Sequence, residues 1–551
     1  MFLERIEMVG FRGINRLSLQ LDDNTVLIGE NAWGKSSLLD ALRLILSPAQ
    51  DLYRFQVSDF YHPPGEETAK ERHLHIVLTF CEHTVGHWSA DKYQLFSPVC
   101  TLGVDNLHRL HFRLEGEWCE DGSVATWRNF IDAAGRSIHV ANIDVLIRQL
   151  IRLHPVLRLR DARQVRHRVQ ELTENGVPLE GFSEITDRLA HSLSECPENI
   201  TNREIREGLE AARQLLEHYF AIHDSAPLPQ KRRRIPDLTQ HNSWQSLEIL
   251  RGLAKRPENR NIRLLFLGMF ASLLHSRGID ALAPEARPLL IIEDPETRLH
   301  PIMLSVAWGV LSELPLQRLT TTNSGELLSY VPVESICRLV RNSNKVSAYR
   351  VFPGMLSRED SRRIAFHICF NRAASLFARS WLLVEGETEV WLLTQLASLS
   401  GYHFHSEGIK IIEFAQCGLK PLIKFARGMG IEWHVLTDGD DAGKKYAATV
   451  RGALRNNDTE RERLTFLPVS DMEMYLYREG FASVFHQVAQ IPQGIPMSPR
   501  RVIDKAIHKS SKPDLALAIV EAAEQRGADS VPRLLRQMFS RVVWLSRGRA
   551  G

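Results

Sequence analysis

The chain has 551 residues, 44% of them apolar, enough for about two to four domains with cores of their own. Its 68 Lys and Arg nearly cancel 66 Asp and Glu, so net charge neither demands nor excludes a nucleic-acid partner. Seven scattered Cys with no C-x-x-C pair argue against a structural zinc site and fit a reducing, cytoplasmic setting.

The opening "MFLERIEMVGFRGI" has no basic segment leading into a long apolar run, so it does not read as a signal peptide. No stretch of apolar residues reaches the length of a membrane span. Next comes "NTVLIGENAWGKSSLLDALRLIL", an apolar strand, the spacing Gly29-x-x-x-x-Gly34-Lys35-Ser36, and then an amphipathic helix with Leu38, Leu39, Leu42, Ile45 and Leu46 on one face. Glycines let backbone N–H groups curl around phosphate oxygens, and the helix start adds its positive end. Gly29, Glu30, Asn31, Gly34, Lys35, Ser36 and Ser37 are therefore the candidate ATP site. Lys35 would reach the β- and γ-phosphates, and Ser36 would hold Mg²⁺. The plainer alternative is a structural glycine turn.

Arginines concentrate near 148–170 and again in "QKRRRIP". They suit phosphate neutralisation, or a solvated helix face in the first case, and neither stretch reads base edges. "RPLLIIEDPETRLHP" is a buried-strand run ending at Glu293 and Asp294. One acid would hold Mg²⁺ and the next would orient a water, unless both simply cap a helix starting at "PET". "QRLTTTNSGELL" reads as a strand ending in a γ-phosphate sensor, with Thr322 or Asn323 as the candidate. The wide gap between the phosphate loop and the acidic strand is the layout of an ABC-type ATPase head. The chain's opening resembles recombination-protein and SMC-like heads.

Three later apolar runs each end in carboxylates. "SWLLVEGETEV" ends at Glu385 and carries Glu389 one helical turn on. "IEWHVLTDGDDAGKK" ends at Asp438, with Asp440 two residues later; "LTFLPVSDMEMYL" ends near Asp471 and Glu473. If the strands are parallel neighbours, these ends meet at the C-terminal edge of one sheet, where α/β sites form. So many carboxylates repel unless a hard cation sits among them. Mg²⁺, with Mn²⁺ or Ca²⁺ as alternatives, fits oxygen ligands, and two such ions can clamp a phosphodiester. The competing reading is helix caps that bind nothing. His73, His75, His403 and His405 alternate in strand-like runs and read as surface or core residues.

The Glu-Gly dipeptide of "LLVEGETE" together with "DGDDAG" resembles the Toprim fold of topoisomerases, primases and nucleases of the OLD (overcoming lysogenization defect) family. A P-loop head followed by Toprim is that family's architecture. The resemblance implies Glu385 and Glu389 as first-motif metal ligands, Asp438 and Asp440 as the second pair, and Asp471 and Glu473 as the third. It implies a late lysine before a proline, Lys512 in "HKSSKPDL", with Lys509 the weaker choice, to offset phosphate charge. Three departures stand out. Glu293-Asp294 replaces two glutamates, Asn323 stands where a histidine is usual, and "NSWQSLEILRGLAKR" holds the place of a signature helix in degenerate form. They imply slow ATP hydrolysis, or hydrolysis that needs a partner.

The expected fold class is α/β: an ABC/SMC-like P-loop ATPase head with a helical insertion, followed by a Toprim Rossmann-like domain with a central parallel sheet. The head spans 1–373, with a dimerising insertion at about 142–235, and the Toprim domain spans 374–551. The expected function is an ATP-binding, metal-dependent DNA endonuclease regulated by its ATPase head. Its catalytic residues would be Glu385, Asp438, Asp440, Lys512 and Asp294. The expected partners are DNA with little sequence specificity, a second copy of the chain, and a helicase-like or defence protein. The alternative is an SMC-like DNA-binding ATPase with an inactive Toprim domain. A topoisomerase or primase lacks support, since the former needs a different ATPase and the latter a Cys-rich zinc ribbon.

Overall fold

The computed structural model describes residues 1–47, 51–62, 72–159, 286–297, 304, 308–309, 316–342, 345–456, 458–492 and 496–548. The basic "QKRRRIP" stretch, most of the expected insertion and the degenerate signature segment lie outside the described residues. The chain forms two compact units, Met1–Tyr330 with Leu339–Ala348, and Val331–Arg338 with Tyr349–Gly551. Among the described residues no helix is long and apolar enough to cross a membrane, and the six cysteines described are free thiols.

In the N-terminal unit, strands Phe2–Phe11, Ile14–Gln20, His73–Cys81, His108–Trp118 and Val124–Ile131 form an antiparallel sheet. The strand His108–Trp118 alternates buried and open positions, and Leu3, Ile6 and Met8 mark the core side of the first strand. A second sheet holds β1 (Asn24–Ile28), β2 (Leu289–Glu293) and β3 (Gln317–Thr321), all parallel, with β3 between the other two. Thr25 to Ile28 and Leu290 to Ile292 are fully buried. Burial on both faces is why these strands read as unbroken apolar runs. Register pairs Thr321 with Leu27 and with Glu293, so the phosphate loop, the sensor segment and the acidic turn leave the same edge. Helix α1 (Lys35–Ile45) follows β1 and buries Leu38, Leu39, Leu42 and Ile45.

The C-terminal unit is built on four parallel strands: β4 (Ser380–Val384), β5 (Ile409–Glu413), β6 (Glu432–Thr437) and β7 (Leu464–Phe466). Their order is β5-β4-β6-β7. Leu383 pairs with Val435, and Val435 with Leu464, so the three acidic strand ends expected from the sequence are neighbours. Helices α2 (Glu387–Leu399), α3 (Asp441–Ala453) and α4 (Met472–Leu476) leave those ends. Helices α5 (Pro499–Lys509) and α6 (Lys512–Arg526) follow, and their apolar faces join the same core as α2. The sequence reading is corrected at His403 and His405, which lie in a turn before β5 and not in a strand.

The tips of β6 and β7 are drawn together by backbone. Gly439 N–H donates to the Val469 carbonyl at 2.9 Å, and Leu467 N–H to the Thr437 carbonyl at 3.0 Å. A Cβ on Gly439 would lie 2.3 Å from the Val469 oxygen and 2.7 Å from the Leu467 oxygen. Neither carbonyl can swing aside as a side chain could. Gly439→Ala is expected to destabilise the chain by about 1–3 kcal/mol. Gly386→Ala, at a position with open space around the added carbon, should stay within about 0.5 kcal/mol. Chemical denaturation of the two variants checks the contrast.

Candidate functional site

Two clusters of side chains carry chemistry, one in each unit. In the N-terminal unit the phosphate loop is shaped by two glycines. Gly29 has φ +147° and Gly34 φ +91°, and a Cβ on them would meet the Leu339 carbonyl at 2.7 Å and Ile14 at 2.8 Å respectively. Asn31–Trp33 make one tight 3₁₀ turn, preceded by Glu30, and Gly34 caps α1. Ser36 is exposed at the helix start, while the Ser37 hydroxyl accepts the Gly13 N–H at 3.3 Å.

Lys35 is buried, and its ammonium donates to the Gly29 carbonyl at 2.7 Å and to the Asn323 side-chain oxygen at 2.9 Å. Burial lowers its pKa, against the opposing pull of Asp294 and Glu296. Asn323 is thus joined to the phosphate-loop lysine. Glu293 ends β2, and Asp294 follows in the left-handed region at φ +37°, a conformation Asp tolerates better than most residues. The Asp294 carboxylate accepts the Thr321 hydroxyl at 3.1 Å, and its N–H donates to the Thr321 carbonyl at 3.0 Å.

Glu296 was not among the residues expected from sequence. The turn Pro295–Thr297 folds it back toward β3, where it accepts the Thr322 hydroxyl at 2.9 Å and the Asn323 N–H at 2.7 Å. The available signal was a third acid two residues past Asp294, read instead as the start of a helix. A continuous relay runs from Glu296 through Asn323 to Lys35.

In the C-terminal unit, Glu385, Glu389, Asp438, Glu473 and Lys512 line one cavity of about 260 Å³, walled by leucines of α2 and α6. Each is placed by a strand end or a helix start. Glu389 is half-buried and accepts the N–H groups of Glu385 and Gly386 at 3.0 and 3.1 Å, closing the first turn of α2. Burial, with Glu385 and Glu473 nearby, pushes its carboxyl up to about 7. Asp438 is pushed up to about 8, first by burial and then by Glu389, Glu385, Glu473 and Asp471. Burial and Asp440 raise Glu385, with Lys512 opposing.

Asp440 and Asp471 were expected beside them and take up capping bonds instead. Asp440 accepts the Gly443 N–H at 2.7 Å, and Asp471 accepts the Met474 N–H at 2.8 Å while pairing with Arg500. Burial works against ionised Asp471, but these bonds and the Ser470 hydroxyl lower its pKa overall. Lys512 opens α6 behind its N-cap Ser511 and bonds Glu473 at 2.8 Å. Burial disfavours its charge, yet Glu473, Asp471 and Glu389 raise its pKa. Lys509, the weaker choice, bonds Gln490.

That leaves Glu385 and Asp438. One Glu385 oxygen is buried with no hydrogen-bond partner, and among the described residues the Asp438 side chain makes neither a hydrogen bond nor an ion pair. A buried, unpartnered Glu385 oxygen beside an Asp438 carboxylate with no protein partner, in a cavity of hard oxygen donors, suits Mg²⁺, Mn²⁺ or Ca²⁺ by chemistry. Among the described residues, however, no three His, Cys, Asp or Glu side chains converge as a ready ligand set.

Residues 1–375 match the family model described as "Protein of unknown function (DUF2813)", and residues 376–440 match "Overcoming lysogenization defect protein-like, TOPRIM domain". A protein of Escherichia coli (strain K12) described as "Uncharacterized protein YbjD" is 57% identical over 552 residues, covering 100% of both chains. The chain belongs to the OLD family. Solved structures similar to this OLD-family chain include the C-terminal region of the Burkholderia pseudomallei OLD protein, at 20% identity, 30% of this chain, 98% of that one and TM-score 0.27. The SMC head domain from Thermotoga maritima aligns at 11% identity, 64% of this chain, 100% of that one and TM-score 0.31. The OLD-like Toprim match covers β4, β5 and β6, including the strand ends that carry Glu385 and Asp438.

Two expectations follow for this OLD-family site. A carboxyl whose folded pKa is raised from 3.8 to about 8 holds its proton more tightly folded than unfolded. Its stabilising contribution is full below the unfolded value and is lost as pH rises toward 8. In chelator at pH 8.5, Asp438→Asn should therefore melt higher than the parent, by about 1 kcal/mol after discounting for screening, or roughly 2–4 °C. The gap should close toward pH 5 and on adding Mg²⁺ or Mn²⁺, as read by thermal melts. Separately, Glu296→Ala should weaken binding of a non-hydrolysable ATP analogue roughly tenfold, because the sensor loses charge-assisted bonds. Glu296→Gln, which keeps an acceptor, should lose less; calorimetric titration checks both.

Proposed function

We propose that this chain is an ATP-binding, metal-dependent DNA endonuclease, with the nuclease in residues 374–551 and a regulatory ATPase head in residues 1–373. The observation that carries the reading is a buried, unpartnered Glu385 oxygen in a cavity also lined by Asp438, which has no protein partner among the described residues, and by a lysine. Bound divalent cations would supply Lewis acidity and neutralise carboxylate charge in a two-metal scheme. Glu385 and Asp438 would be the first ligands, and Glu473 would join them once released from Lys512. Asp440 and Asp471 would contribute from the rim, each already anchored by a cap. Glu389 would hold the Glu385-Gly386 backbone in place, a supporting role that its two accepted N–H bonds favour. Lys512 would turn from Glu473 to offset charge on the pentacovalent phosphate. Leucine walls would limit water around the reacting group.

In the head, Gly29 to Ser37 would cradle the ATP phosphates, Lys35 would exchange Asn323 for the β- and γ-phosphates, and Ser36 and Glu293 would hold Mg²⁺. Asp294 would orient the attacking water. It is shorter than Glu and engaged by Thr321, which favours slow hydrolysis and a switching role for ATP. A second copy of the chain, joined through the insertion at about 142–235, would complete the assembly.

One observation favours a second reading, an SMC-like DNA-binding ATPase with an inactive Toprim domain. Lys512 already neutralises Glu473, and no three described acids converge. Supercoiled-plasmid cleavage with Mg²⁺, Mn²⁺ or Ca²⁺, with and without ATP, separates the two. Asp438→Ala should lower nicking at least a hundredfold, about 2.7 kcal/mol of barrier. Lys35→Ala should abolish nucleotide binding and leave residual nicking. Equal nicking by Asp438→Ala and the parent would sink the nuclease assignment.

A further inference from the structure

Helix α5 packs against α4 and α6, both of which line the carboxylate cavity, and its first turn carries charge that works against the helix dipole. Val502, Ile503 and Ala506 face the core. The outer face holds Arg500, Arg501, Lys505, His508 and Lys509 against one acid, Asp504. Its first turn contains two arginines and no acid, although the positive end of a helix favours negative side chains. Arg501, Lys505 and Lys509 follow one another at four-residue steps, so each cation stacks over the next, where opposite charges would stabilise a solvated helix.

The neighbours of these cations differ. Arg500 pairs with Asp471 and with Asp504 of the same helix, and just past the helix Lys512 pairs with Glu473 of the cavity lining. Arg501 and Lys505 are exposed and make no ion pair or hydrogen bond among the described residues. Arg501 and Lys505 stand one helical turn apart, about 6 Å along the axis, a distance comparable to that between neighbouring phosphates of a nucleic-acid strand.

We infer that the outer face of α5, through Arg501 and Lys505, is a docking surface for the phosphate backbone of duplex DNA and leads the strand toward the carboxylate cavity. The inference rests on the nuclease reading and names where its substrate is gripped. Backbone contacts of this type position a duplex without reading its sequence. The cations of α5 and the acids of the cavity then divide the work, the first holding flanking phosphates and the second the scissile one. Like-charge stacking on α5 is relieved when polyanion binds, as repulsion among the carboxylates is relieved by cations.

The test uses the full chain in EDTA, where cleavage is silent, and a fluorescein-labelled duplex of about 30 base pairs with arbitrary sequence. Anisotropy is followed from about 50 to about 300 mM salt. Arg501→Gln with Lys505→Gln should weaken binding roughly tenfold near physiological salt and lower the slope of log K against log salt by about two. The melting temperature and ATP binding should be unchanged. Lys420→Gln with Lys424→Gln removes the same charge from exposed positions on the helix Leu419–Gly428 and should leave affinity and slope as in the parent. If the α5 variant binds as the parent does, or the control weakens equally, the α5 assignment falls and the nuclease reading stands. If the parent itself shows no salt-dependent duplex binding, both fall.

Discussion

Repulsion among buried carboxylates is the constraint around which the C-terminal unit is organised. Three parallel strands, with β4 buried along its whole length, pair in a register that puts Glu385, Asp438 and the Asp471–Glu473 segment at one edge. The cost is visible in Asp438 and Glu389, whose carboxyls are pushed into or above the neutral range. A fold tolerates this only where the surrounding core overdetermines the arrangement. Here the core of α2, α5, α6 and the strands does so, with Gly439 admitting the close backbone approach that no side chain would allow.

Capping and site-building prove to be the same act at several positions. Glu389, Asp440 and Asp471 each satisfy helix N–H groups, and this fixes where their remaining oxygens point. The two readings of these acids, helix caps or ligands, were posed as alternatives on sequence grounds. The geometry separates them by residue. Glu385 and Asp438 make no such bond, and of the acids lining the cavity these two are left without a side-chain hydrogen-bond partner among the described residues.

The N-terminal unit shows the same economy with the sign reversed. A buried lysine needs acceptors, and Gly29 and Asn323 provide them. Glu296 holds Asn323 through its backbone N–H and Thr322 through its hydroxyl. The Thr322–Asn323 segment is thereby held by an acid outside strand β2.

Period and punctuation made much of this legible from residues alone. Unbroken apolar runs announce strands buried on both faces, and acids or glycines directly after them announce the functional edge, because only strand ends can present polar groups there. The α/β class, the phosphate loop and the three acidic strand ends follow from that local logic. Strand order does not, since it depends on which apolar faces pair over hundreds of residues, and neither does the state of each carboxylate. Asp471 is drawn off by Arg500 from a helix far along the chain, and Glu473 by Lys512. Glu296 escaped notice because a short turn, not a helix, returns it to β3. His403 and His405 misled because alternation over a few residues occurs in turns as well as strands. Local sequence determined which groups could bind phosphate or cations; only long-range packing decided which were left unsatisfied, because hydrogen bonds and ion pairs are allotted by proximity in space, not along the chain.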